Sequence, residues 1–198
     1  MGELRFISDL HFGHANVLGF DNRPFKTIEE HDQVLIDNWS VVKPDDDVWI
    51  LGDISWHNSE NTANILKQLP GRKHLCMGNH DGKLLKNKEV RSQFIEICDY
   101  KEVAVNATGI VACHYPIPCF NKHFYGWIHF YGHVHNSFEW NMMERVRYEM
   151  EALYDKQCNM INVGCMMPWM GYAPKTPDEI ISGYSKWKET CKNVQLRN

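Results

Sequence analysis

No stretch of this 198-residue sequence stays apolar for anything near the roughly 20 residues that a membrane-crossing helix needs, so no membrane span is expected. Positive charge is not in surplus either: Lys and Arg number 21 against 25 Asp and Glu, a formal net charge of −4. Such a chain has no general basic face to hold a nucleic-acid backbone, and a long nucleic-acid partner is not expected. No Cys-x-x-Cys pair occurs. The seven cysteines (Cys76, Cys98, Cys113, Cys119, Cys158, Cys165 and Cys191) are odd in number and widely spaced, which argues against a disulfide framework. They read as reduced packing residues of a cytoplasmic protein. Met1 to Ser8 runs straight into a strand-like segment without a basic, then apolar, leader, so no export signal is expected. Internal repeats and low-complexity blocks are also missing, which excludes solenoids and disordered linkers.

What remains is an ordinary globular composition, 43% hydrophobic and 23% charged, read as one domain over residues 1–198. Leu4 to Ser8, Val48 to Leu51 and Leu75 to Met77 are short apolar runs that end in Asp9, Gly52-Asp53 and Gly78-Asn79-His80-Asp81. Helical patterns lie between them. Thr27-Ile28-Glu29-Glu30 reads as a capping box, and Ser59 as the N-cap of a helix carrying Ile65, Leu66 and Leu69. Strand, helix, strand, helix, strand predicts parallel pairing, with ligands bound beyond the carboxyl ends of the strands. The second half predicts a hairpin, Glu102 to Val105 and Ile110 to Cys113 about the turn Asn106-Ala107-Thr108-Gly109, ending in His114. Trp127 to Tyr131 then leads into Gly132-His133-Val134-His135, Met160 to Val163 is a further strand, and Thr176-Pro177-Asp178-Glu179 opens a C-terminal helix. Two packed sheets flanked by helices are expected, with strand ends converging on one rim.

The residues at those ends suit metal binding. Asp9 and His11 are two apart, as are His133 and His135, and on an extended segment such pairs point to the same side. Asp53 and Asn79 each follow a glycine, where the backbone can turn sharply and present the next side chain. Carboxylate, imidazole and amide ligands together fit Mn, Fe, Zn or Ni better than Ca or Mg.

In order and content, Asp9-Leu10-His11, Gly52-Asp53, Gly78-Asn79-His80-Asp81, His114 and Gly132-His133-Val134-His135 resemble the five signature blocks of the calcineurin-like metallophosphoesterases. The resemblance implies a four-layer α/β/β/α sandwich of two mixed sheets flanked by helices, with a dinuclear metal site at the strand ends. It implies Asp9, His11 and His135 on one ion, Asn79, His114 and His133 on the other, and Asp53 bridging. His80 is then the catalytic, non-ligand histidine beside the substrate, oriented by Asp81. Two divalent transition-metal ions are the implied cofactors, with manganese expected and iron, zinc or nickel as alternatives. The implied reaction is hydrolysis of a small phosphodiester or phosphomonoester, such as a nucleotide, by a hydroxide shared between the ions.

Several residues keep two readings. His14, three beyond His11, faces the substrate or supports the site; Arg23 clamps a phosphate or pins its loop. His123, Trp127 and His129 line the cleft or form a packed loop, the latter expected. Met166-Met167-Pro168-Trp169-Met170 is expected in the core rather than at an oligomer contact. His31, His57 and His74 carry no usable spacing. A nuclease and a non-catalytic scaffold on the same fold are the competing functions; the acidic balance weighs against the first and the intact blocks against the second.

Overall fold

The computed structural model describes residues 2–105, 108–155 and 157–195. In chain order they form β1 (Leu4–Ile7), α1 (Val17–Phe20), α2 (Ile28–Asn38), β2 (Asp47–Ile50), α3 (Ser59–Gln68), β3 (Arg72–Cys76), α4 (Lys88–Arg91) and β4 (Glu96–Cys98). The second half forms β5 (Tyr100–Val105), β6 (Thr108–Cys113), β7 (Ile128–Tyr131), α5 (Phe138–Tyr154), β8 (Met160–Asn162) and α6 (Pro177–Gln195).

The strands make two four-stranded sheets, β1-β2-β3-β4 and β5-β6-β7-β8. The first is parallel throughout, because helical segments separate its successive strands and return the chain to the same end. Only the second is mixed, since β5 and β6 are antiparallel while β6, β7 and β8 run parallel. The expectation of two mixed sheets is corrected to that extent. Val105 pairs with Thr108 and Ala104 with Gly109, so the hairpin strands extend further than the expected four-residue turn allows. Asn106 and Ala107 of that turn lie outside the described residues.

Burial follows strand periodicity. On β6 and β7, Ile110, Ala112 and Phe130 face the core shared with the first sheet, while Val111 and Tyr131 face the other way. There they pack with Met160 against Trp140, Met143 and Met150 of α5. Phe6 of β1 meets Phe130 edge-on at 5.1 Å between ring centres, which ties the sheets across the core. Met166, Met167, Trp169 and Met170 are buried in the same core. Among the described residues no helix is long and apolar enough to cross a membrane.

Thr27 caps α2 as expected, its hydroxyl accepting from the Glu30 amide at 3.2 Å. The cap of α3 is Asn58 rather than Ser59: Asn58 has the extended backbone a cap requires, and its side-chain oxygen accepts from the Asn61 amide at 2.8 Å. Helix α5 and the short strand β4 lie outside the sequence expectations. Polar residues on most sides of α5 blur its apolar stripe, and β4 has only three residues.

A buried carboxylate fixes the start of the first sheet. Asp46 accepts from the Glu3 amide at 2.7 Å, the Lys43 amide at 3.0 Å and Arg5 Nε at 3.0 Å. Burial alone would raise its pKa, but the amides of Lys43 and Glu3 and the Arg5 guanidinium outweigh that and hold it below its ordinary value. A depressed folded-state pKa gives stability that is present above the unfolded value and lost as pH falls through the folded one. Urea unfolding should therefore show stability declining below about pH 4. Asp46→Asn should cost about 1–3 kcal/mol at neutral pH and flatten that decline. An unchanged pH profile in the variant would assign the decline to other groups.

Candidate metal centre

The carboxyl ends of β1, β2, β3, β6 and β7 deliver Asp9 and His11, Asp53, Asn79 and His80, His114, and His133 and His135 to one rim. The pairs do not reach it on extended backbone, as the spacing suggested. Asp9, His11, Asp53, His133 and His135 all have φ between 50° and 68°, the left-handed region that non-glycine residues seldom occupy. Each such residue costs on the order of 1–3 kcal/mol and persists where its surroundings over-determine it. Those surroundings are visible: the Asp9 amide bonds Gly52 O at 3.1 Å, the His11 amide bonds Asp53 O at 3.0 Å, and the His133 amide bonds Asp9 Oδ1 at 3.1 Å.

The glycines before these residues serve close approach as well as turning. Gly52 has φ of 86°, and a Cβ on it would lie 2.6 Å from Gly78 Cα. A Cβ on Gly132 would lie 2.0 Å from Ser8 Oγ and 2.5 Å from Asp9 Oδ2. Side chains at either place would push the loops apart.

Two groups of donors result. Asp9, His11, Asp53 and His135 offer atoms that all lie within 4.8 Å of one another, a group able to hold a metal ion. Within it His11 Nε2 is 3.2 Å from His135 Nε2 and 3.6 Å from Asp53 Oδ2. Beside it, Asn79 Oδ1 is 3.0 Å from both His114 Nε2 and His133 Nδ1. His114 Nε2 lies 3.8 Å from Asp53 Oδ1. Asp53 thus turns one oxygen to each group.

The electrostatics suit a cation. Burial, then the neighbouring His135 and Arg23, hold the His11 pKa far below its ordinary value, so the ring stays neutral with a nitrogen lone pair to give. Burial pushes Asp53 up to about 7; His114 opposes this, while Asp9 and Asp81 add to it. A divalent cation among these donors would relieve both penalties, and the mixture of imidazole, carboxylate and amide oxygen matches first-row transition metals.

Compared with known proteins, the chain matches the family described as calcineurin-like phosphoesterase over residues 4–190. The chain belongs to that family. It is 33% identical over 138 residues to the uncharacterized protein MJ1445 of Methanocaldococcus jannaschii, spanning 68% of this chain and 70% of that one. It is 43% identical over 93 residues to the Gene 66 protein of Mycobacterium phage L5, spanning 45% of this chain and 44% of the phage protein. The crystal structure of the protein of unknown function AQ665 from Aquifex aeolicus superposes with a TM-score of 0.60 at 29% identity, covering 92% of this chain and 99% of that one.

Behind the donors of this calcineurin-like phosphoesterase lies a layer that spacing did not reveal. His114 Nδ1 faces Leu51 O at 2.7 Å, and His135 Nδ1 faces both oxygens of Asp21 at 2.9 and 2.8 Å, so each ring turns Nε2 to the rim. Asp21 is buried and 114 residues from His135 in sequence, beyond the reach of any local pattern. Arg23 is not free to clamp a phosphate. Its guanidinium is buried and donates to Asp21 Oδ2 at 2.8 and 3.0 Å, Asp9 O at 3.0 Å and Leu10 O at 3.3 Å. The polar chain continues through His31, whose Nε2 is 2.8 Å from Arg23, and Asp32 to His57.

Asp81 also differs from expectation. Its carboxylate makes no hydrogen bond to the His80 ring and instead accepts from the amides of Asp53, Ile54 and Gly78 at 3.0, 2.9 and 2.8 Å. His80 itself stands at the rim, its side chain 46% exposed and its Nε2 4.0 Å from Asp53 Oδ2. His14 stacks on Trp56 at 4.0 Å, beside His11. His129 is sealed between Val111 O and Tyr115 O, and burial pushes its pKa down to about 4; it belongs to the packed interior. Lys122 sits 3.9 Å over the Trp127 ring, a loop-packing contact, and His123 packs between Phe120 and Phe124. His74 bonds Asp47 at 2.8 Å and stacks on Trp49, a structural role.

Asp21→Asn keeps the shape but removes the charge that holds the His135 tautomer. Competition titration of the metal-free protein should show metal affinity falling about 10–100-fold. Unaltered affinity would mean that the packing around His135 orients it without the carboxylate.

Proposed function

We propose that this chain hydrolyses a small phosphoester, a nucleotide-like diester or monoester, at a centre of two divalent ions, with manganese the expected metal. The observation that carries the reading is Asp53 between two donor groups, 3.6 Å from His11 Nε2 through one oxygen and 3.8 Å from His114 Nε2 through the other. Asp9, His11 and His135 would hold one ion, Asn79, His114 and His133 the second, and Asp53 both. When bound, such a pair supplies Lewis-acid charge for phosphoryl oxygens and lowers the pKa of water towards neutrality.

The chain's own residues do the rest. Left-handed backbone and abutting glycines fix the donors before any ligand arrives, so little reorganisation is needed on binding. His80 is the exposed imidazole next to Asp53. Burial is the main cause of its lowered pKa, which favours the neutral ring at ordinary pH. Its N–H then hydrogen-bonds the oxygen of the leaving group, where charge develops as the ester bond breaks. Asn79, beside His114 and His133, and His14, stacked on Trp56 beside His11, would contact the substrate's non-reacting oxygens and flank. The seven proposed ligands and His80 lie along one rim at the strand ends, which favours an enzyme over a scaffold. The net charge of −4 favours a small substrate over a long nucleic acid. The cysteines are all unpaired thiols, which suits a reducing compartment such as the cytoplasm.

Metal analysis with a substrate panel tests this. Chelation should abolish hydrolysis of bis(p-nitrophenyl) phosphate and added Mn²⁺ should restore it. His80→Ala should lower kcat by about 10²–10⁴-fold with metal content unchanged. Turnover in excess chelator, or full activity of Asp53→Asn, would overturn the reading.

A further inference from the structure

Next to the candidate centre lies a cleft of about 530 Å³ that the hydrolytic reading does not use. Trp56, His57, Asn58, Ser59, His80 and Lys83 line it. His80 therefore belongs to both places, close to Asp53 on one hand and a wall of the cleft on the other. The volume falls in the range of sites that enclose a small organic ligand.

Its walls are chemically specific. Trp56 and His80 meet at 4.3 Å between ring centres. His14 stacks on Trp56 with rings 6° from parallel, yet the indole stays 38% exposed and lines the cleft, from which His14 is absent. The pairing of Phe12 with Ser55 holds the two loops side by side, the Trp56 amide bonding Phe12 O at 2.7 Å. The aromatic wall is thus held on backbone rather than hung from a loose loop. Lys83 is exposed and lines the cleft, and no carboxylate pairs with it among the described residues. The cleft therefore combines the exposed part of an indole, hydroxyl and amide groups, and a cation that no described carboxylate neutralises.

We propose that this cleft is the leaving-group subsite and that the leaving group is a nucleoside or nucleoside phosphate, its base against Trp56 and an anionic oxygen near Lys83. The inference rests on the hydrolytic reading above. Water adds to phosphorus, the P–O bond to the leaving nucleoside breaks, and the freed oxygen takes a proton, giving an alcohol and a phosphomonoester. A group departing past His80 enters this cleft. Indole–base stacking tolerates any base, so the subsite selects for a base rather than for its identity.

The test compares a dinucleotide, which fills the cleft, with its analogue whose leaving sugar carries no base, so that both release an alkoxide of similar basicity, using the whole metal-loaded chain. Wild type should favour the dinucleotide in kcat/KM. Lys83→Ala and Trp56→Leu should each lower the ratio of the two kcat/KM values by about tenfold, mainly through KM for the dinucleotide. Lys83 is exposed, so its variant reports even if the Trp56 variant folds poorly. A single-stranded oligonucleotide as a third substrate separates the sources: turnover slower than the dinucleotide's identifies free dinucleotides, and faster turnover identifies strand ends. Hydrolysis of the base-free analogue with no dinucleotide preference, turnover of p-nitrophenyl phosphate but of none of the three diesters, or a ratio unmoved by Lys83→Ala, would overturn the inference alone. Hydrolysis neither of these diesters nor of the monoester p-nitrophenyl phosphate by metal-loaded protein would overturn the hydrolytic reading with it.

Discussion

The buried carboxylate of Asp81 holds the rim together. It accepts three backbone hydrogen bonds, from Gly78 in its own loop and from Asp53 and Ile54 in the loop after β2. Charge-assisted bonds of this kind are each worth about 1.5–3 kcal/mol. They offset the left-handed backbone of Asp53 and draw two strand ends so close that only glycines fit between them at positions 52 and 78. The spacing of the two donor groups about Asp53 follows from that contact.

On the other side of the rim, the same task falls to β1. Its last residues bond both sheets: the Leu51 amide donates to Ile7 O at 2.8 Å, the Ser8 amide to Val163 O at 2.9 Å, and the Cys165 amide to Ser8 O at 2.9 Å. Asp9 therefore emerges where the two sheets meet, and its carboxylate receives the His133 amide from the second sheet. The buried Asp21–Arg23 pair sits under this junction and fixes Asp9 O and the His135 ring together. Buried ion pairs are seldom a net gain in stability, because desolvation consumes most of the attraction. Here the pair is placed to set the geometry of one histidine, and Arg23 also satisfies carbonyls that the turn after β1 leaves unpaired.

Much of the fold was legible in advance because it depends on short-range pattern. Apolar runs ending in Gly52-Asp53, Gly78-Asn79 and Gly132-His133 marked the ends of β2, β3 and β7, and the Thr27 cap marked the start of α2. The roles of Arg23 and Asp81 were not legible. Arg23 and Asp81 each read as site residues by position, yet their partners are carbonyls and amides, which every residue carries and no sequence pattern distinguishes. Helix α5 escaped because its burial is spread over Trp140, Met143, Arg147 and Met150 among many polar residues, leaving a weak apolar stripe.

The sequence by itself determined the chemistry available: which donors exist, that they fall at strand ends, and that a mixed imidazole, carboxylate and amide set suits transition metals. Tertiary structure alone decided how those donors divide about Asp53, which ring nitrogens face the rim, and which aromatic and cationic groups stand beside His80. The physical reason is that the first set depends on residue type and local period, which the chain carries linearly. The second depends on contacts between residues as distant as Asp21 and His135, and on backbone conformations held only when both sheets are assembled.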